Sequence, residues 1–444
     1  MKNIIISSNG STGGKTTITM GLLKVLKNRG IKPQSYKVGP DYIDPDFHEY
    51  ITKVPARNLD LYLMGEDGVK ASFSRGSGDY GVVEGVMGLY DGKDISTKYS
   101  TAHVAKLLNL PVILVLSPKA KAATLCAEIK GLMNFENVKI AGIIFNNIKE
   151  SYYNLLKAAV EKHCNIKVFG YVPSDERLSL KSRHLGLIQS SEIEDLNEKV
   201  ELCAALMEKY IDIDLLLKCF EDSHIDCNKY IDNLHVKNMG LKSAVAYDKA
   251  FCFYYKENIE LLEEAGQVQF FSPIKDRQIP QDVDFLYIGG GYPEIFIDKL
   301  SRNKTMLKSI RDELNAGLRC YAECGGLMYL TEAIDGKETV GFFKGESQMT
   351  NKLQNFGYAQ AKVINENSIL PVGISFNCHE FHKSKVSLEK RYIYEFDKAN
   401  YDDSIKKWNC GYVKGNTLAN YAHVHFFGNL EMFKYLISSK PFSI

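Results

Sequence analysis

A glycine-rich loop near the start of the chain carries the residue types that bind nucleotide phosphates. The loop reads GSTGGKTT, and its glycines let successive backbone N–H groups point toward a phosphate at the start of a helix. The Lys15 ammonium can reach the outer phosphates, and the Thr16 hydroxyl can ligate Mg²⁺. The strict form of this loop has glycine where this chain has Asn9, so the match is to the looser form. The residues predicted to bind nucleotide are Gly13, Gly14, Lys15, Thr16 and Thr17.

Two acidic segments follow this loop and could supply carboxylates near the phosphates. The segment YKVGPDYIDPDFH, which we interpret as a loop, holds Asp41, Asp44 and Asp46. The segment GVVEGVMGLYDG places Glu84 at the end of a predicted strand and Asp91 in the loop that follows. An acidic residue in a turn is usually a turn former. A carboxylate inside an apolar strand is costly unless it is paired or bound to metal, which makes Glu84 the stronger candidate.

One of the ten cysteines lies where a nucleophile could be presented. Cys324, in YAECGGL, follows an apolar strand and precedes a helical run. Small neighbours such as Gly325 permit the sharp strand-to-helix turn that exposes a nucleophile, and the helix amino terminus is expected to lower the pKa of the thiol. The segment NYAHVHF offers His423 and His425 as bases. The segment GGGYPE contains Gly290 and is either an oxyanion-binding loop or a simple glycine turn.

A further histidine-rich segment, CHEFHKS at residues 378–384, is predicted to be a loop. It lacks the HExxH spacing that places two metal ligands on one face of a helix. We therefore interpret it as a structural or substrate-lining loop rather than as a zinc site.

The elements that must position these residues alternate between strands and helices. Short, nearly continuous apolar runs are typical of strands buried on both faces of a parallel sheet. They occur at residues 3–7, 81–86, 111–116, 140–145 and 168–172, and again at 243–247, 284–288 and 319–322. The charged stretch at residues 190–239 is predicted to be helical, with no strand. We expect two α/β domains, at residues 1–238 and 239–444, the first built on a doubly wound parallel sheet.

Composition limits the classes of function. The 444 residues are too many for a single core, and the net charge of +1 argues against a nucleic-acid partner. No apolar run approaches the roughly 20 residues that span a membrane, and the apolar stretch at the amino end is too short for a signal peptide. The ten cysteines form no CxxC pair. This spacing indicates neither a structural zinc site nor a disulfide framework, so we expect a reducing, cytoplasmic location.

Taken in order, the motifs resemble those of the cobyrinic acid a,c-diamide synthase family. They are GGKTT, YKVGPDYIDPDFH, RNLDLYLM, VVEGVMGLYDG, SRHLGL, AYDKAFCFYY, GGGYPE, YAECGGLMYL, HEFH and NYAHVHF. The resemblance extends over nearly the whole chain. It implies a P-loop NTPase-type domain related to dethiobiotin synthetase, followed by a class I glutamine amidotransferase domain with a flavodoxin-like fold.

The resemblance also implies a reaction. Cys324 would attack glutamine with His423 as base and release ammonia, with Gly290 and Gly325 amides at the oxyanion. ATP would phosphorylate the a and c acetate carboxylates of a cobyrinic-acid-type tetrapyrrole, and ammonia would displace the phosphate. By resemblance, Mg²⁺ would be held by Thr16, Asp41 and Glu84, while Asp44 and Asp91 would contact substrate or intermediate. Expected partners are ATP, L-glutamine and the tetrapyrrole, without nucleic acid or membrane, and a homodimer is left open.

Several positions depart from the family pattern, and two other functions are considered. His425 stands where the common amidotransferase pattern has glutamate, which leaves the third member of the triad unassigned. The other departures are Ser117, Cys378 and Tyr62. Nickel-sirohydrochlorin a,c-diamide synthase would use the same motifs on a different macrocycle. A partitioning-type P-loop ATPase is disfavoured because its signature lysine is replaced here by Gly10.

Overall fold

The computed structural model describes residues 1–179, 182–183, 186–187, 189–223, 233–389 and 391–438. Its contacts divide the chain into two units. Unit 1 consists of Met1–Leu61 and Glu66–Ile231. Unit 2 consists of Tyr62–Gly65 and Asp232–Ile444.

A parallel sheet forms the centre of unit 1. Its seven parallel strands lie in the order β3-β2-β4-β1-β5-β6-β7. They are β1 (Lys2–Ser8), β2 (Pro33–Val38), β3 (Arg57–Leu59), β4 (Tyr80–Glu84), β5 (Val112–Leu116), β6 (Ile140–Ile148) and β7 (Val168–Pro173). In this register Glu84 lies beside Lys37 on one side and beside Ile6 on the other. The carboxyl ends of β1, β2 and β4 therefore meet next to the glycine-rich loop.

Three short strands among the described residues complete unit 1. Ser182–Arg183 (β8) pairs with Gly186–Leu187 (β9). Glu221–Asp222 (β10) pairs antiparallel with the start of β1, opposite Lys2 and Asn3. The prediction of no strand at residues 190–239 is therefore wrong, because a strand of two polar residues carries no apolar run to mark it.

Eight α-helices accompany the sheet of unit 1, although residues 62–65 of the third helix belong to unit 2. They are α1 (Lys15–Asn28), α2 (Ile43–Thr52), α3 (Leu61–Ser74), α4 (Thr101–Leu108), α5 (Ala123–Phe135), α6 (Glu150–Cys164), α7 (Leu196–Tyr210) and α8 (Ile213–Leu217), among the described residues. Single 3₁₀ turns lie at Glu176–Leu178 and Ser190–Glu192. Helix α7 packs on α1, where the Cys203 thiol donates to the Thr17 carbonyl at 3.3 Å. A Cβ on Gly21 would lie only 2.4 Å from Met207 Sδ, so the two helices touch along a glycine.

Helix α2 occupies part of the segment that was predicted to be a loop. Asp44 and Asp46 lie in its first turn, where carboxylates interact favourably with the helix amino terminus. Pro45 is tolerated there because first-turn N–H groups have no partner within the helix. The proline and the acids mark a helix start rather than an irregular loop.

Unit 2 is built on a mixed sheet. Five strands are mutually parallel in the order β13-β11-β14-β16-β23, and longer antiparallel strands extend the sheet from β23. The strands of unit 2 are β11 (Leu241–Ala246), β12 (Phe251–Phe253), β13 (Gly266–Phe271), β14 (Phe285–Ile288), β15 (Gly290–Gly291), β16 (Arg319–Glu323), β17 (Ala333–Ile334), β18 (Lys337–Glu338), β19 (Gly345–Val363), β20 (Ser375–Leu388), β21 (Tyr392–Ala399), β22 (Ile405–Lys414) and β23 (Thr417–Asn420). Strands β12 and β15 lie outside the mixed sheet and form a separate antiparallel pair.

The CHEFHKS segment lies inside β20, so the prediction of a loop there is also wrong. His379, Glu380 and His382 are buried in this strand. Polar side chains that face the interior conceal the alternation by which a strand is predicted from sequence.

Five helices accompany the sheet of unit 2 in the described residues. They are α9 (Lys256–Ala265), α10 (Ile297–Arg302), α11 (Lys304–Asn315), α12 (Gly325–Leu330) and α13 (Leu430–Ile437), with a 3₁₀ turn at Phe426–Gly428. The chain thus has two α/β domains, one on a parallel sheet and one on a mixed sheet, which confirms the predicted fold class. Across the described part of both units, no helix combines the length and apolar character needed to cross a membrane.

Candidate active sites

The glycine-rich loop is packed so closely at Gly13 and Gly14 that neither position has room for a side chain. Gly14 has φ 91°, and a Cβ there would lie 2.0 Å from Asn146 Nδ2. A Cβ on Gly13 would lie 1.7 Å from Ser8 Oγ. The Ser117 hydroxyl donates to the Gly13 carbonyl at 2.9 Å, so this departure from the family pattern supports the loop.

Lys15 is buried at the base of this loop. Its ammonium donates to the Gly10 carbonyl at 2.9 Å and to the Met87 carbonyl at 2.5 Å. Burial, together with the charge of Lys37, lowers the pKa of Lys15 to about 8. A lysine in this position gains most from an anionic partner such as a phosphate, because an anion stabilises its charged form.

Glu84 is the centre of a buried polar cluster beside the loop. Its Oε1 accepts hydrogen bonds from the Thr16 hydroxyl at 2.7 Å and from Lys37 at 3.0 Å. Its Oε2 lies 2.8 Å from His48 Nε2. Burial by itself would raise the pKa of Glu84, but Lys37, His48 and Thr16 together hold it below its usual value. The carboxylate is therefore ionised and fully enclosed.

Lys37 joins Glu84 to two aspartates of the YKVGPDYIDPDFH segment. Its ammonium lies 2.5 Å from Asp44 Oδ2 and 3.8 Å from Asp41 Oδ2. Burial lowers the pKa of Lys37, but the carboxylates outweigh burial and raise it above its usual value. The other oxygen of Asp41 accepts from the Ile43 N–H at 2.8 Å and fixes the start of α2.

Sequence reasoning did not find Lys37 and His48. Their only signal was a lysine and a histidine inside an otherwise apolar and acidic motif, YKVGPDYIDPDFH. The two remaining acids lie outside the cluster. Asp91 is exposed and accepts from the Gly88 N–H at 2.9 Å, while Asp46 accepts from the Ser190 N–H at 2.8 Å.

The ligand types of this cluster fit Mg²⁺ in a nucleotide complex. Mg²⁺ prefers hydroxyl and carboxylate oxygens and is usually held by one or two carboxylates together with substrate phosphates. Thr16 and Glu84 supply such oxygens in direct contact with each other. No group of three or more His, Cys, Asp or Glu side chains is arranged to hold a metal ion in the described ranges. Binding through phosphates suits this site better than an all-protein cage.

Cys324 lies on a sharp turn between β16 and α12. Its φ of 48° and ψ of −102° are strained for a residue with a side chain. The turn is crowded, since a Cβ on Gly326 would lie 2.2 Å from the Ile288 carbonyl oxygen. A Cβ on Gly325 would lie 2.9 Å from Pro293 Cδ and 3.2 Å from the Gly291 nitrogen. The GGGYP loop therefore packs directly on the turn that carries the thiol.

The predicted lowering of the Cys324 pKa is wrong. Burial raises the pKa of the thiol above its usual value, and the carboxylates of Glu294 and Glu380 raise it further. The Gly325 N–H acts in the opposite direction but is outweighed. A base is consequently needed to remove the proton as the thiol reacts.

His423 is held by backbone pairing beside the same glycine loop. Its N–H donates to the His379 carbonyl at 2.9 Å, and the His379 N–H donates back at 3.1 Å. A Cβ on Gly290 would lie 2.5 Å from His423 Cε1. Burial, with the charges of His379 and His382, lowers the pKa of His423 to about 3. The imidazole is therefore neutral and able to accept a proton.

His425 and His382 belong to two separate buried pairs with glutamates. His425 Nε2 lies 3.4 Å from Glu257 Oε2. His382 Nε2 lies 3.0 Å from Glu380 Oε2, and its ring stacks on Tyr421 at 3.7 Å. The other Glu380 oxygen accepts from the Trp408 indole at 3.0 Å. This network supports the strand that pairs with His423.

Three motif positions add little to either site. The Cys378 thiol donates to the Ala359 carbonyl at 3.4 Å, and Tyr62 stacks on Tyr358 at 4.5 Å within unit 2. The SRHLGL motif at residues 182–187 includes residues 184–185, which lie outside the described residues.

The fold and the two sites define a glutamine amidotransferase carried on the same chain as a P-loop nucleotide-binding domain. Residues 4–188 match a family model described as CobQ/CobB/MinD/ParA nucleotide binding domain. Residues 242–430 match a CobB/CobQ-like glutamine amidotransferase domain.

Curated relatives extend these matches over the whole chain. A cobyrinate a,c-diamide synthase of Clostridium tetani is 63% identical over 441 residues, which cover 98% of this chain and 100% of that protein. The enzyme of the same name in Clostridium acetobutylicum is 60% identical, with coverage of 98% and 100%. That of Caldanaerobacter subterraneus is 40% identical, with coverage of 95% and 95%. The chain belongs to the cobyrinate a,c-diamide synthase family, as its motifs predicted.

Proposed function

We propose that this protein converts the a and c acetate carboxylates of cobyrinic acid to amides, using ATP and glutamine, in cobalamin biosynthesis. The observation that carries the proposal is the presence on one chain of a buried carboxylate cluster at a phosphate-binding loop and of a strained cysteine turn and a neutral histidine that pack against the same glycine loop. We assign the ligase chemistry to residues 1–238 and the glutaminase chemistry to residues 239–444. Full-length relatives that carry the name cobyrinate a,c-diamide synthase support this assignment.

Residues 239–444 would release ammonia from glutamine. As the Cys324 sulfur attacks the carboxamide carbon, His423 takes the thiol proton and gives it to the leaving nitrogen. The carbon–nitrogen bond breaks, and ammonia and a glutamyl thioester are formed. Water then attacks the thioester carbon, which releases glutamate and restores the thiol. Backbone N–H groups of Gly290 and Gly325 would stabilise the oxyanion.

Residues 1–238 would activate the acceptor carboxylate. A carboxylate oxygen of the macrocycle attacks the γ-phosphorus of ATP, and the bond to the β-phosphate oxygen breaks to leave ADP. Ammonia then attacks the acyl carbon, and phosphate departs with the former carboxylate oxygen. Gly13, Gly14, Lys15 and Thr17 would bind the phosphates, while Asp44 and Asp91 would contact the acceptor or its acyl phosphate. The same sequence repeats at the second acetate.

Thr16, Asp41 and Glu84 would hold Mg²⁺ with the nucleotide. When bound, the ion neutralises phosphate charge as phosphoryl transfer proceeds. The buried Lys37 ammonium would contribute positive charge to the same region. We further propose a reducing, cytoplasmic setting, since the nine described cysteines are free thiols.

The proposal is tested by incubating the protein with ATP, glutamine and a panel of tetrapyrroles and measuring product masses. Each carboxylate converted to an amide changes the mass by a fixed step, so the number of amidations can be counted. We expect two steps on cobyrinic acid. ATP turnover and mass change only with nickel-sirohydrochlorin would reassign the macrocycle, and no mass change with either would contradict the proposed ligase activity.

A further inference from the structure

His425 occupies the position in which amidotransferases of this type commonly have an acid. Its ring faces a different part of unit 2, where it lies against Glu257 and packs on Tyr255 with ring centroids 4.7 Å apart. The base His423 is therefore supported in some other way.

A different carboxylate lies close to His423. Glu323 Oε2 is 3.9 Å from His423 Nδ1, and both side chains are buried. Glu323 Oε1 accepts from the Val424 N–H at 3.2 Å, and Oε2 accepts from the Tyr287 hydroxyl at 3.0 Å. The carboxyl is thus anchored to the residue that follows His423 and to the neighbouring strand β14.

We propose that Glu323, the residue before the nucleophile, is the acid that positions His423 and stabilises its protonated form. This inference rests on the proposed glutaminase role of Cys324 and His423. A carboxylate beside the distal nitrogen of an imidazole fixes its orientation and favours the imidazolium that forms when the thiol loses its proton. The 3.9 Å separation is that of an ion pair rather than of a hydrogen bond, so Glu323 acts mainly through its charge.

Burial makes that charge effective. Little water lies between two enclosed groups, so their electrostatic interaction is weakly screened. Burial also raises the pKa of Glu323 to about 8, against the opposing effect of its hydrogen bonds to Tyr287 and Val424. A positive imidazolium next to this carboxyl favours its ionised form. The positive charge on the His423 imidazolium and the negative charge on the Glu323 carboxylate therefore stabilise each other while the thiol attacks.

The main chain fixes the acid and the base together. Glu323 is the last residue of β16 and lies opposite Asn420 of β23, three residues before His423. The Cys324 N–H donates to the Asn420 carbonyl at 2.8 Å. Asn258 binds both sides of the histidine segment, donating to the Val424 carbonyl and accepting from the Phe426 N–H, each at 2.8 Å. Nucleophile, acid and base are thus set by one pair of neighbouring strands.

The test compares Glu323→Gln with Glu257→Gln, a matched control in which another buried glutamate beside a histidine of unit 2 loses its charge. Glutamine-driven and ammonia-driven amidation are measured for both full-length variants. Glu323→Gln should lower kcat for glutamine by about tenfold or more, with little change in KM. Glu257→Gln should stay within about twofold, and ammonia-driven amidation reports the amount of folded enzyme.

A second measurement reports on the thiol itself. The rate of Cys324 alkylation by iodoacetamide is followed against pH, and the labelled peptide is identified by mass spectrometry. Glu323→Gln should move the half-maximal pH upward, since the thiolate loses a stabilised imidazolium. The other ionisable groups that act on these residues are His379 and His382 on His423, and Glu294 and Glu380 on Cys324. They are unchanged in both variants.

Each outcome separates the proposal from its alternatives. A downward shift would mean that Glu323 acts only by repelling the thiolate, and an unchanged pH profile or equal loss in both variants would mean a packing role. If Glu323→Gln does not fold, Glu323→Asp keeps the charge and should retain the wild-type pH profile. Loss of the wild-type pH profile in Glu323→Asp would overturn the proposal. Absence of glutamine-driven amidation in the wild-type protein would instead contradict the proposed function.

Discussion

Lys37 is a buried cation whose ammonium lies within 3.8 Å of three carboxylates, those of Asp41, Asp44 and Glu84. Its ammonium contacts Asp44 and Glu84 inside unit 1. Such pairs offset the cost of burying charge only while both partners are present. The lysine therefore favours the charged form of both carboxylates at the place where phosphate chemistry is proposed, although burial and neighbouring carboxylates raise the pKa of Asp44 above its usual value.

Lys37→Met should lower the free energy of unfolding by about 3 kcal/mol, because Glu84 and Asp44 would be left with uncompensated buried charge. Urea unfolding measures the change. Lys139→Met removes an exposed lysine that pairs with Glu221 and should cost at most about 1 kcal/mol. Equal losses in the two variants would show that the Lys37 pairs are no stronger than a surface pair.

Cys324→Ala should abolish glutamine-driven amidation and leave ammonia-driven amidation intact, since free ammonia replaces the product of the missing thiol. The two rates are compared at saturating ATP and macrocycle. Cys320→Ala is the matched control, because Cys320 is a buried cysteine on β16, the strand that leads to Cys324. Glutamine-driven amidation that survives in Cys324→Ala would refute the nucleophile assignment.

The lowered pKa of Lys15 predicts a pH dependence of ATP binding. Below a pH of about 8 the ammonium is charged and attracts phosphate, whereas above it the free enzyme holds a neutral amine. Binding of an anion must then take up a proton, so KM for ATP should rise as pH increases from about 7 to about 9. Lys15→Arg stays charged and should show a flatter dependence. An equally steep rise in that variant would assign the effect to another group.

At the scale of elements, the turn at Cys324 depends on glycine for space. Gly326→Ala places a methyl group 2.2 Å from the Ile288 carbonyl oxygen, which is backbone and cannot rotate away. It should lower the free energy of unfolding by about 1–3 kcal/mol and reduce glutamine-driven amidation more than ammonia-driven amidation. Gly131→Ala, in helix α5 with open space around it, should be neutral or stabilising by up to about 1 kcal/mol. Thermal unfolding and the rates of glutamine-driven and ammonia-driven amidation distinguish the two variants.

The elements that sequence reasoning found and those it missed differ in how polar they are. Strands β1, β4, β5 and β14 are runs of buried apolar residues, so the apolar pattern identifies them directly. Strand β20 carries buried histidines and a glutamate, and helix α2 begins with Asp-Pro-Asp, so both resembled loops. Lys37, His48 and Glu323 were missed for a related reason. Lys37 and His48 meet Glu84 from 47 and 36 residues away, and Glu323 lies near His423, so only the folded chain brings these partners together.

At the scale of the whole molecule, the near-zero net charge conceals strong local charge. Unit 1 encloses Lys15, Lys37, Asp44 and Glu84 within one region. Unit 2 encloses Glu323 and Glu257, each beside a histidine. These buried charges lie next to charges of opposite sign or next to histidines, which the overall balance of +1 does not show. Composition alone could not reveal these pairs.

The packing of α7 on α1, and of β10 on β1, has a consequence for the order in which the protein matures. The first strand and first helix emerge early in synthesis, but their covering elements at residues 196–222 come much later. Contacts of such wide sequence separation slow folding. The phosphate-binding loop therefore stays incompletely supported while nearly half of the chain is being made.

A fragment that stops at residue 188, where the nucleotide-binding family match ends, should therefore lack a cooperative thermal transition. A fragment of residues 1–238 retains α7 and β10 and should show one by circular dichroism. Cooperative unfolding of the shorter fragment at the same temperature would contradict this. During synthesis, the first strand and first helix would stay uncovered until residues 196–222 have been made. We therefore expect unit 1 to depend most on a chaperone during this period.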